Sequence, residues 1–172
     1  MPDLRRSGLF WLWLSALVIV LDLASKWLAE SRLGLYQQVP LIDGLFSFTL
    51  AYNPGAAFSF LSDAGGWQRW FFIVIAVGVS VMLLIWLARL TRDRWLEPVA
   101  LALILGGALG NLYDRVVHGH VVDFILVHWQ QEWFFPAFNI ADSAITVGAV
   151  LLIADMFWPR RRQPIDSESR HD

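Results

Sequence analysis

Cysteine is absent from this chain. That excludes disulfides, thiolate metal sites and a cysteine nucleophile. Charge is scarce as well: 16% of the residues are Asp, Glu, Lys or Arg, where an average soluble domain carries roughly a quarter. With 57% hydrophobic residues over 172 positions and a mean hydropathy of +0.53, polar surface is too small for an ordinary water-soluble globule. A net charge of −2 offers nucleic acid no basic footprint. No linker or tail is long enough to make a second domain.

What is present is long apolar runs. A helix of about 20 apolar residues crosses the hydrocarbon core, and four segments qualify, at about 9–28, 70–88, 96–113 and 140–158. The first follows Arg5 and Arg6 but lacks a small-residue cleavage site, so it reads as a retained span rather than a signal peptide. It carries Asp22 and Lys26 on one helical face. Either they form an ion pair that ties this helix to its neighbours, or they support a buried polar site. Pro98 falls in a first helical turn, where it is tolerated. Gly106 and Gly110 have the GxxxG spacing that lets helices approach closely.

The extramembrane segments are 30–66 and 116–136. In the first, Phe46, Phe48, Leu50 and Tyr52 alternate with smaller or polar residues, the pattern of a strand with one apolar face. Val39 to Ile42 is its expected partner, with Pro40 favouring an edge. Asn53-Pro54-Gly55 ends the strand as a turn. The second segment reads as a connection holding His118, His120, His128, Trp129 and Trp133. Pro159 stops the last helix, and 159–172 reads as a disordered polar tail.

Nine of the 13 basic residues, Arg5, Arg6, Arg89, Arg92, Arg94, Arg160, Arg161, Arg162 and Arg170, fall on one side of these spans. The positive-inside bias therefore puts both termini in the cytoplasm. All ten tryptophans lie near span ends, as in an aromatic belt. Asp22, Lys26, Asn53, Asn111, Asp114, Arg115, Asp123, Asn139 and Asp142 then come to the opposite face together.

Two carboxylates brought close cannot both ionise cheaply; one keeps a proton and the other stays charged. Such a pair can activate water with the anion while the acid polarises a carbonyl. Read from the residues alone, however, Asn139 is a good N-cap and Asp142 falls at the third helical position, so capping is the stronger reading for Asp142. Asp123 alone could be a solvated loop carboxylate, and Asp114–Arg115 an interfacial ion pair. His118-x-His120 lacks a compact third ligand, and Ser59, Ser62 and Ser143 have no nucleophile elbow around them. Rival classes are a small polytopic ion- or proton-coupled transporter using intramembrane carboxylates, and a non-catalytic membrane chaperone. No internal repeat of the transporter kind is found.

Five boxes in order resemble the lipoprotein signal peptidase family, also called signal peptidase II or prolipoprotein signal peptidase. They are Asp22 to Lys26, Asn53 to Phe58, Gly106 to Arg115, Val121 to Phe124 and Phe138 to Asp142. The resemblance implies an all-α polytopic membrane protein with four transmembrane helices and a small extracytoplasmic β-rich region between helices 1 and 2. It implies an aspartic endopeptidase of the bacterial cytoplasmic membrane that cleaves diacylglyceryl-modified prolipoproteins before the lipidated cysteine. Asp123 and Asp142 match the catalytic dyad. Asn53, Asn111, Arg115 and Asn139 match positions that orient the dyad or bind the substrate backbone, and Asp22 and Lys26 match structural polar support. No cofactor or metal is expected, and the partners expected are the prolipoproteins and membrane lipids, with the chain a monomer.

Overall fold

The computed structural model describes residues 7–55, 66–90 and 95–157. The tail at 159–172, Trp158, the terminal arginines, Arg92, Arg94, and Ala56 to Phe58 of the second box lie outside the described residues. A 3-10 turn, Gly8–Trp11, leads into α1, Leu12–Arg32. Strands β1, Val39–Ile42, and β2, Phe46–Asn53, follow. Then come α2, Trp67–Arg89, and α3, Leu96–Val117. Strands β3, Val121–Trp129, and β4, Trp133–Phe134, precede α4, Ile140–Phe157. Four helical stretches, Gly8–Arg32, Trp67–Arg89, Leu96–Val117 and Ile140–Phe157, are long and apolar enough to span a membrane.

Helix α3 is the hub. Among the described residues α1, α2 and α4 all pack on it, α1 and α4 touch, and α2 touches neither. Glycine decides how close these contacts are. A Cβ on Gly106 would lie 2.9 Å from the Ser15 carbonyl oxygen of α1, and one on Gly110 would lie 2.7 Å from Asp22 Oδ2. On the adjacent face a Cβ on Gly107 would collide with the Ala141 carbonyl oxygen of α4. Gly148 of α4 is pressed in the same way onto the Ala100 carbonyl oxygen. The GxxxG pair therefore serves α1, while its neighbour Gly107 serves α4. Leu83, Leu87, Leu101 and Leu105 form the buried core between α2 and α3. Val74, Val150 and Met156 point outward, as lipid-facing residues do.

The β-rich region differs from the sequence expectation in two ways. First, it is a four-stranded antiparallel sheet of order β1-β2-β3-β4, so the connection between α3 and α4 supplies half of it. Residues 121–127 hid this strand because both of its faces carry apolar residues, Ile125 and Val127 on one and Val122, Phe124 and Leu126 on the other, which leaves no apolar–polar alternation to read. Second, β2 is bulged. Phe48 pairs with Ile125 and Ala51 pairs with Asp123, so Thr49 and Leu50 together oppose Phe124. A bulge re-aims the side chains beyond it. Phe46, Phe48, Ile125 and Val127 are half-buried on the same sheet face as Ala51, Asn53 and Asp123. Leu50 leaves the expected apolar stripe and is 4% exposed. Ser47 and His128 face the other way, joined by a 2.8 Å Oγ···Nε2 hydrogen bond.

Candidate active site

The start of α4 is tied to β3 by backbone. Phe138 N–H donates to the Ile125 carbonyl at 3.0 Å, and Ile125 N–H returns a bond to Phe138 at 2.8 Å. That pairing sets the next residue, Asn139, beside Asp123. Asn139 Nδ2 donates to Asp123 Oδ1 at 2.7 Å and to the Val122 carbonyl at 3.2 Å. The same residue caps α4. Its Oδ1 accepts Asp142 N–H at 2.9 Å, and its own N–H donates to Asp142 Oδ2 at 3.2 Å. This reciprocal pattern is a capping box, with aspartate at the third helical position. One asparagine thus touches both carboxylates.

The other oxygens of the pair are also held. Asn111 Nδ2, from α3, donates to Asp142 Oδ1 at 2.7 Å. Asn53 Nδ2, at the end of β2, donates to Asp123 Oδ2 at 3.2 Å. Its Oδ1 meanwhile accepts Gly55 N–H at 2.9 Å and shapes the turn. Asp142 is half-buried, whereas Asp123 is 3% exposed. Burial, and then the charge of Asp142, push the Asp123 carboxyl up to about 7, against the pull of the Asn53 and Asn139 hydrogen bonds and of Lys26. A carboxyl raised in this way is suited to hold a proton and act as the acid of such a pair.

Behind the pair lies a dry ionic cluster. Lys26 Nζ is 2.7 Å from Asp22 Oδ2 and 2.8 Å from Asp114 Oδ2, and donates to Asn111 Oδ1 at 3.0 Å. Asp22 Oδ1 accepts Ala141 N–H at 2.9 Å, so α1 holds the first turn of α4. Asp114 Oδ2 also accepts Val122 N–H at 3.3 Å, next to Asp123. Asp114 therefore pairs with Lys26 across helices, where the sequence suggested an ion pair with its neighbour Arg115.

Arg115 turns elsewhere. Its guanidinium lies 5.3 Å above the Phe72 ring of α2, and Nη1 donates to the Asn111 carbonyl at 3.2 Å. Its charge acts most strongly on Asp142 and then on Asp123. Arg69, which the sequence did not single out, binds the end of α3. Its Nε and Nη2 donate to the Arg115 and Val116 carbonyls at 2.8 and 2.9 Å. Only the packing of α2 on α3 makes that contact, so no sequence signal could have found it. His120 packs against Tyr52 with ring centroids 4.2 Å apart and the planes tilted by 50°. Burial and the neighbouring His118 lower its pKa. Among the described residues no group of three His, Asp or Glu side chains is placed to hold a metal ion.

A sequence profile for the family described as Signal peptidase (SPase) II matches residues 14–158. The lipoprotein signal peptidase of Pseudomonas fluorescens (strain Pf0-1) is 60% identical over 168 residues, covering 98% of this chain and 96% of that protein. That of Pseudomonas paraeruginosa is 65% identical over 158 residues, covering 91% and 94%. A bacterial membrane enzyme solved by the in meso method at 2.3 Å resolution matches with a TM-score of 0.76 at 30% identity, covering 86% of this chain and 87% of its own.

Proposed function

Since the chain belongs to the signal peptidase II family and is a membrane aspartic peptidase, we propose that Asp123 and Asp142 are its catalytic pair. The observation that carries this reading is Asn139, which donates its side-chain amide to one carboxylate and its backbone N–H to the other. Asp123, the more buried, keeps its proton. Asp142, half-buried and accepting two N–H donors, is the base.

The reaction follows from that assignment. Asp142 accepts a proton from water as the water oxygen bonds to the scissile carbonyl carbon. Asp123 gives its proton to the carbonyl oxygen, leaving a gem-diol. On collapse one gem-diol hydroxyl returns its proton to Asp123 while Asp142 protonates the leaving nitrogen. The C–N bond breaks, and the pair is restored without a cofactor. Asn53, Asn111, Arg115 and Asn139 hold the pair and the substrate backbone. Asp22 and Lys26 support them from α1.

The substrates are prolipoproteins carrying diacylglycerol on a cysteine, cut just before that residue. The basic bias of the sequence puts both termini in the cytoplasm and the pair at the outer membrane–water boundary, where the end of a signal helix emerges. The sheet lies on that outer side. Its strip of Phe46, Phe48, Ile125 and Val127 runs from Asp123 along the same face and is suited to apolar substrate. Both carboxylates come from one chain, so a monomer suffices.

The test uses purified protein in detergent or lipid, a diacylglyceryl-modified signal peptide and its unlipidated twin. Cleavage of the lipidated peptide alone, before the cysteine and lost in Asp142→Asn, is expected. Turnover by folded Asp142→Asn near the wild-type rate would remove that residue from the mechanism.

A further inference from the structure

An amide side chain can be turned end for end with little change in shape, so which end faces a carboxylate is decided by its other partners. Like Asn53, whose Oδ1 accepts Gly55 N–H, Asn139 and Asn111 each face a partner that can only donate. For Asn139 that partner is the backbone N–H of Asp142, which requires Oδ1 and leaves Nδ2 for Asp123. For Asn111 it is Lys26, whose ammonium has three protons and no lone pair. It lies 2.7 Å from Asp22 Oδ2 and 2.8 Å from Asp114 Oδ2 and donates to Asn111 Oδ1 at 3.0 Å. With Oδ1 committed to Lys26, Nδ2 is the end left for Asp142.

We infer that Lys26 is a positioning residue for the reaction, acting through Asn111 to hold an N–H donor against Asp142 Oδ1. The inference rests on the reading of Asp142 as catalytic. Asn139 Nδ2 also lies 3.3 Å from Asn111 Oδ1, but its two protons are shared among three acceptors, the shortest contact being to Asp123. The charged donor at 3.0 Å is the stronger constraint. Lys26 cannot rotate away without leaving Asp22 and Asp114 as unpaired buried anions. A flipped Asn111 would set its carbonyl oxygen against Asp142 Oδ1, the acceptor that Nδ2 now meets at 2.7 Å, and so remove that N–H donor. The groups that face Lys26 are Asp22 on its own helix and Asp114 and Asn111 on α3. Asp123 of β3 also feels its charge, and His118 lies beyond, with Nδ1 4.0 Å from Asp114 Oδ1.

A double-mutant cycle tests this. Removing Lys26 alone strands two carboxylates, so the cycle is run on Asp114→Asn, where loss of the lysine leaves the cluster with the wild-type net charge of one negative. Asn can still accept Val122 N–H. On that background Lys26→Met is expected to lower kcat roughly 10- to 100-fold, with KM for the lipidated peptide changed less than about twofold. Asn111→Ala should lower kcat by a similar factor, and adding Lys26→Met to it should cost less than about twofold more. Equal losses in both backgrounds would overturn the inference, because a merely structural lysine does not act through Asn111. A rise in KM at constant kcat would overturn it too. If the Met variant does not fold, Lys26→Arg and Lys26→Gln decide. Arginine, donor only, should retain kcat several-fold better than glutamine at equal melting temperature; equal kcat in the two would overturn the proposal. Asp142→Asn is the control that separates the outcomes: turnover there would sink the dyad, whereas an additive cycle with an inactive Asp142→Asn would sink only the role of Lys26.

Discussion

Asn139 and Asp142 cap one another: Asn139 Oδ1 accepts Asp142 N–H at 2.9 Å, and Asp142 Oδ2 accepts Asn139 N–H at 3.2 Å. Helix capping and the holding of the carboxylate proposed as the base are here the same pair of hydrogen bonds. The two readings of Asp142 that compete in the sequence do not compete in the fold. Each oxygen of an ionised carboxylate has two acceptor sites, so capping leaves capacity for water.

Asp123→Asn and Asp142→Asn should each lower cleavage by roughly 10²- to 10⁴-fold or more, with the protein still inserted in the membrane. Single-turnover cleavage of a lipidated peptide, beside circular dichroism of each variant, checks this. One well-folded variant at near-normal rate would strike its residue from the pair.

The pH dependence has a definite sign. Asp123 must be protonated to act as the acid, and its carboxyl is raised to about 7 by burial and by Asp142. The kcat/KM profile, which reports the free enzyme, should therefore fall above about pH 7. Asn53 bonds the charged form and lowers this value, so Asn53→Ala should move the alkaline limb to higher pH. Stability carries the same signature. Between the ordinary aspartate value of 3.8 and about 7 the folded chain holds a proton that the unfolded chain has lost. The contribution of this group to stability is thus greatest at low pH and declines through that window. Asp123→Asn should flatten the decline, as melting curves from pH 4 to pH 8 would show. A wild-type profile still rising at pH 9 would contradict the assignment of the acid.

Gly107→Ala should be disruptive, because its Cβ would collide with the Ala141 carbonyl oxygen one residue from Asp142. Forcing a methyl into a packed contact costs about 1–3 kcal/mol, and here it also displaces the first turn of α4. Gly78, which has open space around its Cβ position, is the matched control. Gly78→Ala should leave both melting temperature and turnover unchanged or slightly improved. Similar losses at the two positions would mean that close helix approach is not what Gly107 provides.

The sheet face separates binding from folding. Phe46→Ser with Phe48→Ser should raise KM for the lipidated peptide several-fold at unchanged melting temperature, since both residues are half-buried on the sheet face that carries Asp123. Leu50→Ser, at a buried position beyond the bulge, should instead lower stability by about 2–4 kcal/mol. Unchanged KM in the folded double variant would end the role of this strip in binding.

Much was readable from the residues in order. Apolar runs of about 20 residues have one stable fate in a bilayer, and the four helices fall where those runs do. The hairpin of β1 and β2 was visible because one of its faces is open, which preserves the period of two. Asn139 announced a cap, because capping is local and uses residues three apart. Membership of the family was carried by short boxes whose order survives in the linear chain.

The tertiary structure decided the rest, because the remaining interactions join residues with no sequence relation. The third strand was illegible: apolar residues on both faces erase the alternation that marks a strand. The bulge that sends Leu50 away from Phe48 has no signature in β2 itself and appears only against β3. Asp22 was legible as half of an ion pair with Lys26. That its other oxygen holds Ala141, 119 residues later, depends on α1 and α4 meeting beside Gly107 and Gly110. A sequence specifies which groups can donate and accept, but packing alone decides which of them are left facing each other away from water.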